Sequence, residues 1–180
     1  MFMDSNQFEK AFHHVESSAF RLQLLGTYSV ESERTDYDAF LDGEPFPDRS
    51  NNDWLKTISA NVAAGRKWMN IHVLPERLTC YMRYIIEWWY IYQQKSGADI
   101  RFVLAEDAEA IRRMAPRDFW LFDDKTLLWM HYDNTGAFLG AELSTDQKQI
   151  TLACEIRSLA VRSSIDLRRL LALRRTGELA

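Results

Sequence analysis

Cysteine is scarce: the 180 residues hold two, Cys80 and Cys154. They stand far apart with no companion at metal-ligand spacing, which argues against zinc-site and disulfide-framework classes. Each sits among apolar neighbours in a helical pattern and is expected as a small core residue. A reducing compartment disfavours a disulfide between them. Long apolar runs are also lacking. The most apolar stretch, 81–92, is shorter than the roughly 20 residues a membrane helix needs, and Arg83 and Glu87 interrupt it. The opening residues carry neither a basic n-region nor an apolar h-region, so the expected location is cytoplasmic, with no membrane partner. There is no G-x-S-x-G elbow, no P-loop, no G-x-G-x-x-G after a strand and no H-E-x-x-H. These absences lean away from an enzyme and lead us to expect neither cofactor nor metal, while leaving catalysis open.

What is present is apolar bulk. The chain is 47% hydrophobic and 13% aromatic, more than a disordered segment carries, so a sizeable aromatic-rich core is expected. The length fits one domain over 1–180. Its parts are a helix-and-strand portion (1–65), a central sheet region (66–144) and C-terminal helices with a basic end (145–180). The net charge of -4 is mild but unevenly spread. Acidic residues from Glu31 to Asp53 crowd the first third, and Arg157, Arg162, Arg168, Arg169, Arg174 and Arg175 crowd the end. Such asymmetry marks either a docking surface or two solvated faces. The last four arginines, set among Leu167, Leu170, Leu171 and Leu173, form the candidate interaction surface.

Periodicity predicts an α+β fold. Ser5 is the expected N-cap of a helix that uses Phe8, Phe12 and Val15. A half-buried strand is expected over 20–30, with Phe20, Leu22, Leu24, Tyr28 and Val30 on one side, Arg21 and Gln23 on the other, and a bulge at Gly26. Helices follow at 35–41 and after Asn52 or Asp53, the latter stopping at Gly65. A strand at 68–74, an aromatic helix at 78–92 closed by Gly97, and a strand at 100–104 form a βαβ crossover, which requires a parallel pair. After a short helix at 108–114 come strands at 119–122, 127–132 and 138–143, a β-meander with turns at 123–125 and 134–136. Thr145 with Asp146 starts a long helix, which Ser163 and Ser164 break or recap. The whole is a mixed β-sheet with a C-terminal meander, flanked by helices.

Several polar residues are candidates for chemistry. His131 and Asp133 are two apart on a predicted strand and share a face, so a carboxylate-oriented general base is one reading and plain adjacency the other. Asp118, Asp123 and Asp124 bracket the apolar strand; they can bind a ligand or satisfy turn amides. Arg83 either pairs with Glu87 along its helix or, with Tyr81 nearby, grips a small anionic ligand bidentately. His13, His14 and His72 have no partner at recognised metal spacing.

The run Asp118-Phe119-Trp120-Leu121-Phe122-Asp123, then Met130-His131-Tyr132-Asp133 and Gly136-Ala137-Phe138-Leu139-Gly140, resembles an uncharacterised domain-of-unknown-function family common in actinobacteria. Its members share this D-F-W-L-F-D signature and a following Y-D-x-x-G-x-x-L-G hairpin. Phe20-Arg21-Leu22 through Tyr28, Phe40-Leu41-Asp42-Gly43 and Tyr81-Met82-Arg83-Tyr84 are similar too. The likeness runs to about residue 160 and leaves the Arg-rich end outside. Members are often encoded beside helix-turn-helix regulators, which implies a regulatory, non-catalytic role with such a partner. The strand order also resembles one lobe of the phospholipase D superfamily. Those enzymes carry a Lys two residues after their catalytic His, where this chain has Asp133, so their chemistry is not expected.

Two functional readings follow. One is a regulatory or interaction protein working with a helix-turn-helix partner. The other is a small-molecule binder or biosynthetic enzyme with a pocket around Arg83 and His131, using Tyr81, Asp118 and Asp123. Direct nucleic-acid contact is disfavoured by the acidic balance.

Overall fold

The described residues form eight strands: β1 (Phe2–Met3), β2 (Ser18–Gln23), β3 (Lys67–Val73), β4 (Asp99–Val103), β5 (Phe119–Phe122), β6 (Thr126–Tyr132), β7 (Phe138–Ser144) and β8 (Ser164–Asp166). In the computed structural model they form one mixed sheet in the order β1-β7-β6-β5-β2-β3-β4-β8. Residues 2–3 and 5–179 are described, without the side chains of Phe2, Ser5, Asn6, Glu9 and His13. The cap expected at Ser5 therefore lies outside the described residues. Each third of the chain supplies strands to the sheet.

The two central strands explain why alternation fades in the middle of the sequence. β5 is buried at all four positions and β2 at its four inner ones. Strands covered on both faces need apolar residues at both parities. The meander β5-β6-β7 is antiparallel, and its first turn, residues 123–125, places Asp123 and Asp124 at positive φ, a conformation that Asp tolerates better than most residues. The predicted crossover is present: β3 and β4 pair in parallel and are joined by helical residues 80–95. That stretch comprises α4 (Cys80–Tyr84), a π-helical turn (Ile85–Trp89) and α5 (Tyr90–Lys95). β2 and β3 are parallel as well.

Helix starts follow capping chemistry. The Asn52 side chain accepts from the amides of Trp54 and Leu55 to open α3 (Asp53–Ala63), and Thr79 accepts from Met82 to open α4. Asp146 and Asp166 do the same for α7 (Gln147–Arg162) and α8 (Leu167–Thr176). Each cap satisfies an amide that has no intrahelical partner, which contributes about 1 kcal/mol. The remaining helices are α1 (Ser5–Ala11), α2 (Arg34–Leu41) and α6 (Glu109–Met114). No described helix is long and apolar enough to cross a membrane.

Two apolar layers cover the sheet. On one face Phe20, Leu22, Phe119 and Leu121 meet Ile111 of α6 and Ile150, Ala153, Ile156 and Ala160 of α7. On the other, Trp68, Trp120, Phe122 and Phe102 meet Phe12, Ile58, the 80–95 helix and Leu167 and Leu170 of α8. This second layer is mostly aromatic: Phe12 packs edge-on against Trp54, Trp120 and Phe122, with ring centroids 5.0–5.4 Å apart. Edge-to-face contacts of this kind add about 0.5–1.5 kcal/mol beyond area burial.

Two expectations are corrected and one is extended. The strand expected over 20–30 stops at Gln23, and Tyr28 joins the layer opposite Phe20 and Leu22. Side chains take the backbone groups that a continuing strand would have paired. The Leu24 amide donates to Asp118, His72 lies against the Leu25 carbonyl, and Thr79 donates to the Gly26 carbonyl. Backbone groups satisfied this way need no strand partner. The break at Ser163 and Ser164 leads into β8, which adds antiparallel to β4 and forms a sheet edge. Finally, Cys80 is exposed at the start of its helix, and Cys154 is half-buried, packed against the edge of the α7 layer rather than enclosed in it.

Candidate ligand-binding site

The aromatic layer does not close completely. A cavity of about 770 Å³ remains over β2, β3, β5 and β6, within the size range of small-molecule sites. Strand register builds its floor. Arg21 of β2 pairs with Asn70 of β3 on one side and with Trp120 of β5 on the other. Paired residues on neighbouring strands project side by side from one face, so Asn70, Arg21 and Trp120 form a row. Gln23, Trp68 and Tyr132 extend it, Phe12, Trp54 and Trp89 supply walls, and Glu33, Asp36 and Arg49 lie toward the α2 side.

Arg21 is 6% exposed, and Asp118 behind it is 2% exposed. Arg21 Nη2 donates to Asp118 Oδ2 at 3.2 Å and to the Tyr132 hydroxyl at 2.6 Å. The guanidinium carbon lies 5.4 Å from the Trp120 ring centre, a cation–π contact. Asp118 also accepts from the Tyr28 hydroxyl at 2.5 Å and the Leu24 amide at 2.9 Å. Burial opposes the Arg21 charge, but the Tyr132 hydroxyl oxygen and the Asp118 carboxyl facing it outweigh burial and raise its pKa. Burial raises the Asp118 pKa while Arg21, Tyr28 and the Leu24 amide hold it down. Tyr28 and Tyr132 are pushed above the usual phenol range, chiefly by burial, and stay protonated. Arg21 Nη1 is buried with no partner.

A second polar chain runs beside the first. His72 is 1% exposed, with Nε2 2.8 Å from the Leu25 carbonyl oxygen and Nδ1 2.6 Å from the Tyr90 hydroxyl. A carbonyl only accepts, so Nε2 carries the proton and Nδ1 is the acceptor. Burial, then the nearby Arg21 and Arg112 charges, bring the His72 pKa down to about 4, so the ring is neutral. The single Tyr90 proton faces two acceptors, His72 Nδ1 at 2.6 Å and Gln23 Oε1 at 3.1 Å, and goes to the nearer, while the Asn70 side chain lies against the Tyr90 oxygen. Asn70 Oδ1 is buried without a partner. Toward α2, Tyr81 donates to Glu33 at 2.8 Å, and burial raises the Glu33 pKa. Arg49 pairs with buried Asp36 through two nitrogens, one at 2.9 Å.

The structure sorts the residues expected from sequence. Tyr81 lines the cavity and Asp118 holds Arg21 in place beneath it. Arg83 is exposed and does not line it, because helical rotation turns 81, 85 and 89 inward and 83 outward. His131 is also outside the cavity lining; it contacts Arg117 at 2.8 Å and lies 3.5 Å from Glu142. The pocket expected around Arg83 and His131 is thus replaced by one around Arg21. Asp133 does not orient His131, since Oδ1 accepts from Thr135 and Ala137 in the hairpin turn and the pairing slips between His131 and Tyr132. Asp123 accepts from the amides of Glu16, Ser17 and Ser18, and Asp124 pairs with Arg157. Among the described residues no group of three or more His, Cys, Asp or Glu is placed to hold a metal ion. Arg168, Arg174 and Arg175 border a separate groove with Ile91, Lys95 and Leu171, whereas Arg169 lies outside it. Arg174 pairs with Glu87 at 2.7 Å.

Arg21 and Asn70 were not singled out from sequence. A strand reading with one wet face puts Arg21 in solvent, and only its place in a doubly covered strand reverses that. The available signal was the apolar character of both parities around it (Ala19, Phe20, Leu22).

The fold and cavity define an α+β domain with an aromatic chamber on one face of a mixed sheet. The chain belongs to the family described as Domain of unknown function (DUF6879), which matches residues 6–172. The match reaches into α8, beyond the limit near 160 expected from the shared motifs. A comparison with curated proteins returns no match.

Proposed function

We propose that this domain binds a small, flat, amphipathic molecule in the aromatic chamber and acts as a regulatory module rather than a catalyst. The observation that carries the reading is the 770 Å³ cavity with Trp54, Trp68 and Trp120 around a buried arginine. Aromatic walls with a few placed polar groups are the ordinary make-up of a ligand site. The proton-carrying groups Asp118 and His72 at its floor are committed to fixed partners. Asp118 accepts three hydrogen bonds, and both His72 nitrogens are engaged. Groups occupied in this way position and recognise; they are poor proton shuttles. Saturable quenching of tryptophan fluorescence by flat aromatic compounds, with a matching rise in Tm, is the expected result. No saturable response up to roughly 1 mM, where binding is only about 4 kcal/mol, would sink the reading.

The regulatory part rests on the 80–95 helix. It lines the chamber with Tyr81, Ile85, Trp89 and Tyr90 and the basic groove with Ile91 and Lys95, with a π-helical turn between α4 and α5. Such turns are frequent at functional sites. In this reading the groove between α5 and α8 receives the helix-turn-helix partner implied by the family resemblance. Co-purification of such a regulator from the native host supports it, provided Arg168→Glu with Arg175→Glu abolishes the capture. Recovery of metabolic enzymes alone, or capture indifferent to those changes, counts against it.

A further inference from the structure

Two buried atoms in the chamber floor have complementary needs. Arg21 Nη1 is a donor without an acceptor, and Asn70 Oδ1 is an acceptor without a donor. They belong to residues paired across the parallel strands β2 and β3, so they sit next to one another on one face. Arg21 is held by Asp118 and Tyr132 through Nη2. The Asn70 side chain lies against the Tyr90 hydroxyl, which donates to His72 Nδ1, while His72 Nε2 donates to the Leu25 carbonyl. A buried polar atom left unpaired costs about 1–3 kcal/mol, so a ligand that satisfies both gains on each.

The geometry points to a neutral cyclic amide, a lactam edge on a flat ring, as the ligand class of this chamber. This proposal rests on the binding function put forward above and names its ligand chemistry. The lactam carbonyl accepts from Arg21 Nη1 while the adjacent ring N–H donates to Asn70 Oδ1. The ring itself lies among Trp54, Trp68 and Trp120. A carboxylate fits less well, although a small anion was the expectation from sequence. It offers Arg21 an acceptor but presents a second acceptor to Asn70 Oδ1. The Arg21 charge is already answered by Asp118 and that of Arg49 by Asp36, while Glu33 adds a further carboxyl group to the lining. The chamber therefore holds no surplus positive charge to pay for dehydrating an anion.

The test is a fluorescence or calorimetric titration of the full chain with four probes of one ring size. These are quinolin-2-one, its N-methyl derivative, quinoline-2-carboxylate and naphthalene. Quinolin-2-one is expected to bind at least about tenfold more tightly than each of the others, because each lacks or opposes at least one of the two hydrogen bonds. Asn70→Leu, checked for folding by its thermal melt, is expected to bring quinolin-2-one to within about threefold of its N-methyl derivative. If the variant does not fold, the ranking on the unmodified chain decides alone. Any other probe binding as tightly as quinolin-2-one overturns the lactam assignment and leaves the chamber's binding function standing. Failure of all four to bind overturns both.

Discussion

Acid should loosen this protein through one histidine. His72 has a folded pKa of about 4 against an ordinary value of 6.5, so below pH 6.5 the unfolded chain takes a proton that the folded chain refuses. Stability is complete above about 6.5 and falls as the pH drops toward 4, by about 3 kcal/mol in all and about 2 kcal/mol by pH 5. The groups facing the ring make the refusal concrete. A protonated His72 would turn Nδ1 into a donor against Tyr90 and add a charge beside Arg21 and Arg112. The measurement is urea unfolding at pH 7.5 and 5.0 for the unmodified chain and for His72→Gln. The variant should be weaker at pH 7.5 by about 1–3 kcal/mol, since Gln cannot serve both Leu25 and Tyr90. It should lose about 2 kcal/mol less on acidification. Asp118 and Glu33, whose folded pKa values are raised, act in the opposite sense. Their contribution is full at low pH and lost as pH rises through the folded pKa, and it cancels between the two proteins. Equal losses on acidification in both would refute the assignment to His72.

Four further outcomes follow from particular residues. Asp118→Asn leaves the Arg21 cation buried beside a neutral amide, so denaturant melts should show a loss of about 3–5 kcal/mol. Adding Arg21→Met to Asp118→Asn removes the unpaired cation, and it should recover much of that stability because the amide oxygen still accepts from Leu24 and Tyr28, while abolishing any lactam preference in the probe titration. Gly136→Ala should lower Tm by several degrees, because its φ is +82° and a Cβ would stand 2.5 Å from the Thr27 carbonyl oxygen. That contact seats the 24–30 loop, whose Ser29 amide donates to the Gly136 carbonyl. Arg83→Ala, at an exposed position outside the chamber, should leave the probe affinities unchanged within about twofold; a larger drop would bring Arg83 back as a binding residue.

Local rules made much of the architecture legible in advance. Asn52, Thr145 with Asp146, and the Gly-terminated helices announced themselves, because caps and turns depend on a few adjacent residues. The aromatic run at 81–92 and the apolar strand at 119–122 were equally plain, since burial imposes its period directly on the side chains. The crossover and meander followed from order alone. The site did not. Arg21 was read as solvent-facing, Tyr28 as part of a continuing strand, and the chemistry was sought at Arg83 and His131. What reversed this was which strands became central and in what register. β5 and β7 come from the meander, yet β5 pairs with β2 from the other end of the chain. That pairing sets Arg21 between Asn70 and Trp120 and brings Asp118 under it from 97 residues away. Sequence by itself determined the elements and the two-sided burial of 119–122. Only the tertiary structure decided that a lone arginine on a neighbouring strand would be buried, paired on one side and left open on the other. Long-range pairing depends on the sum of all the faces being covered at once, and no local window contains that sum.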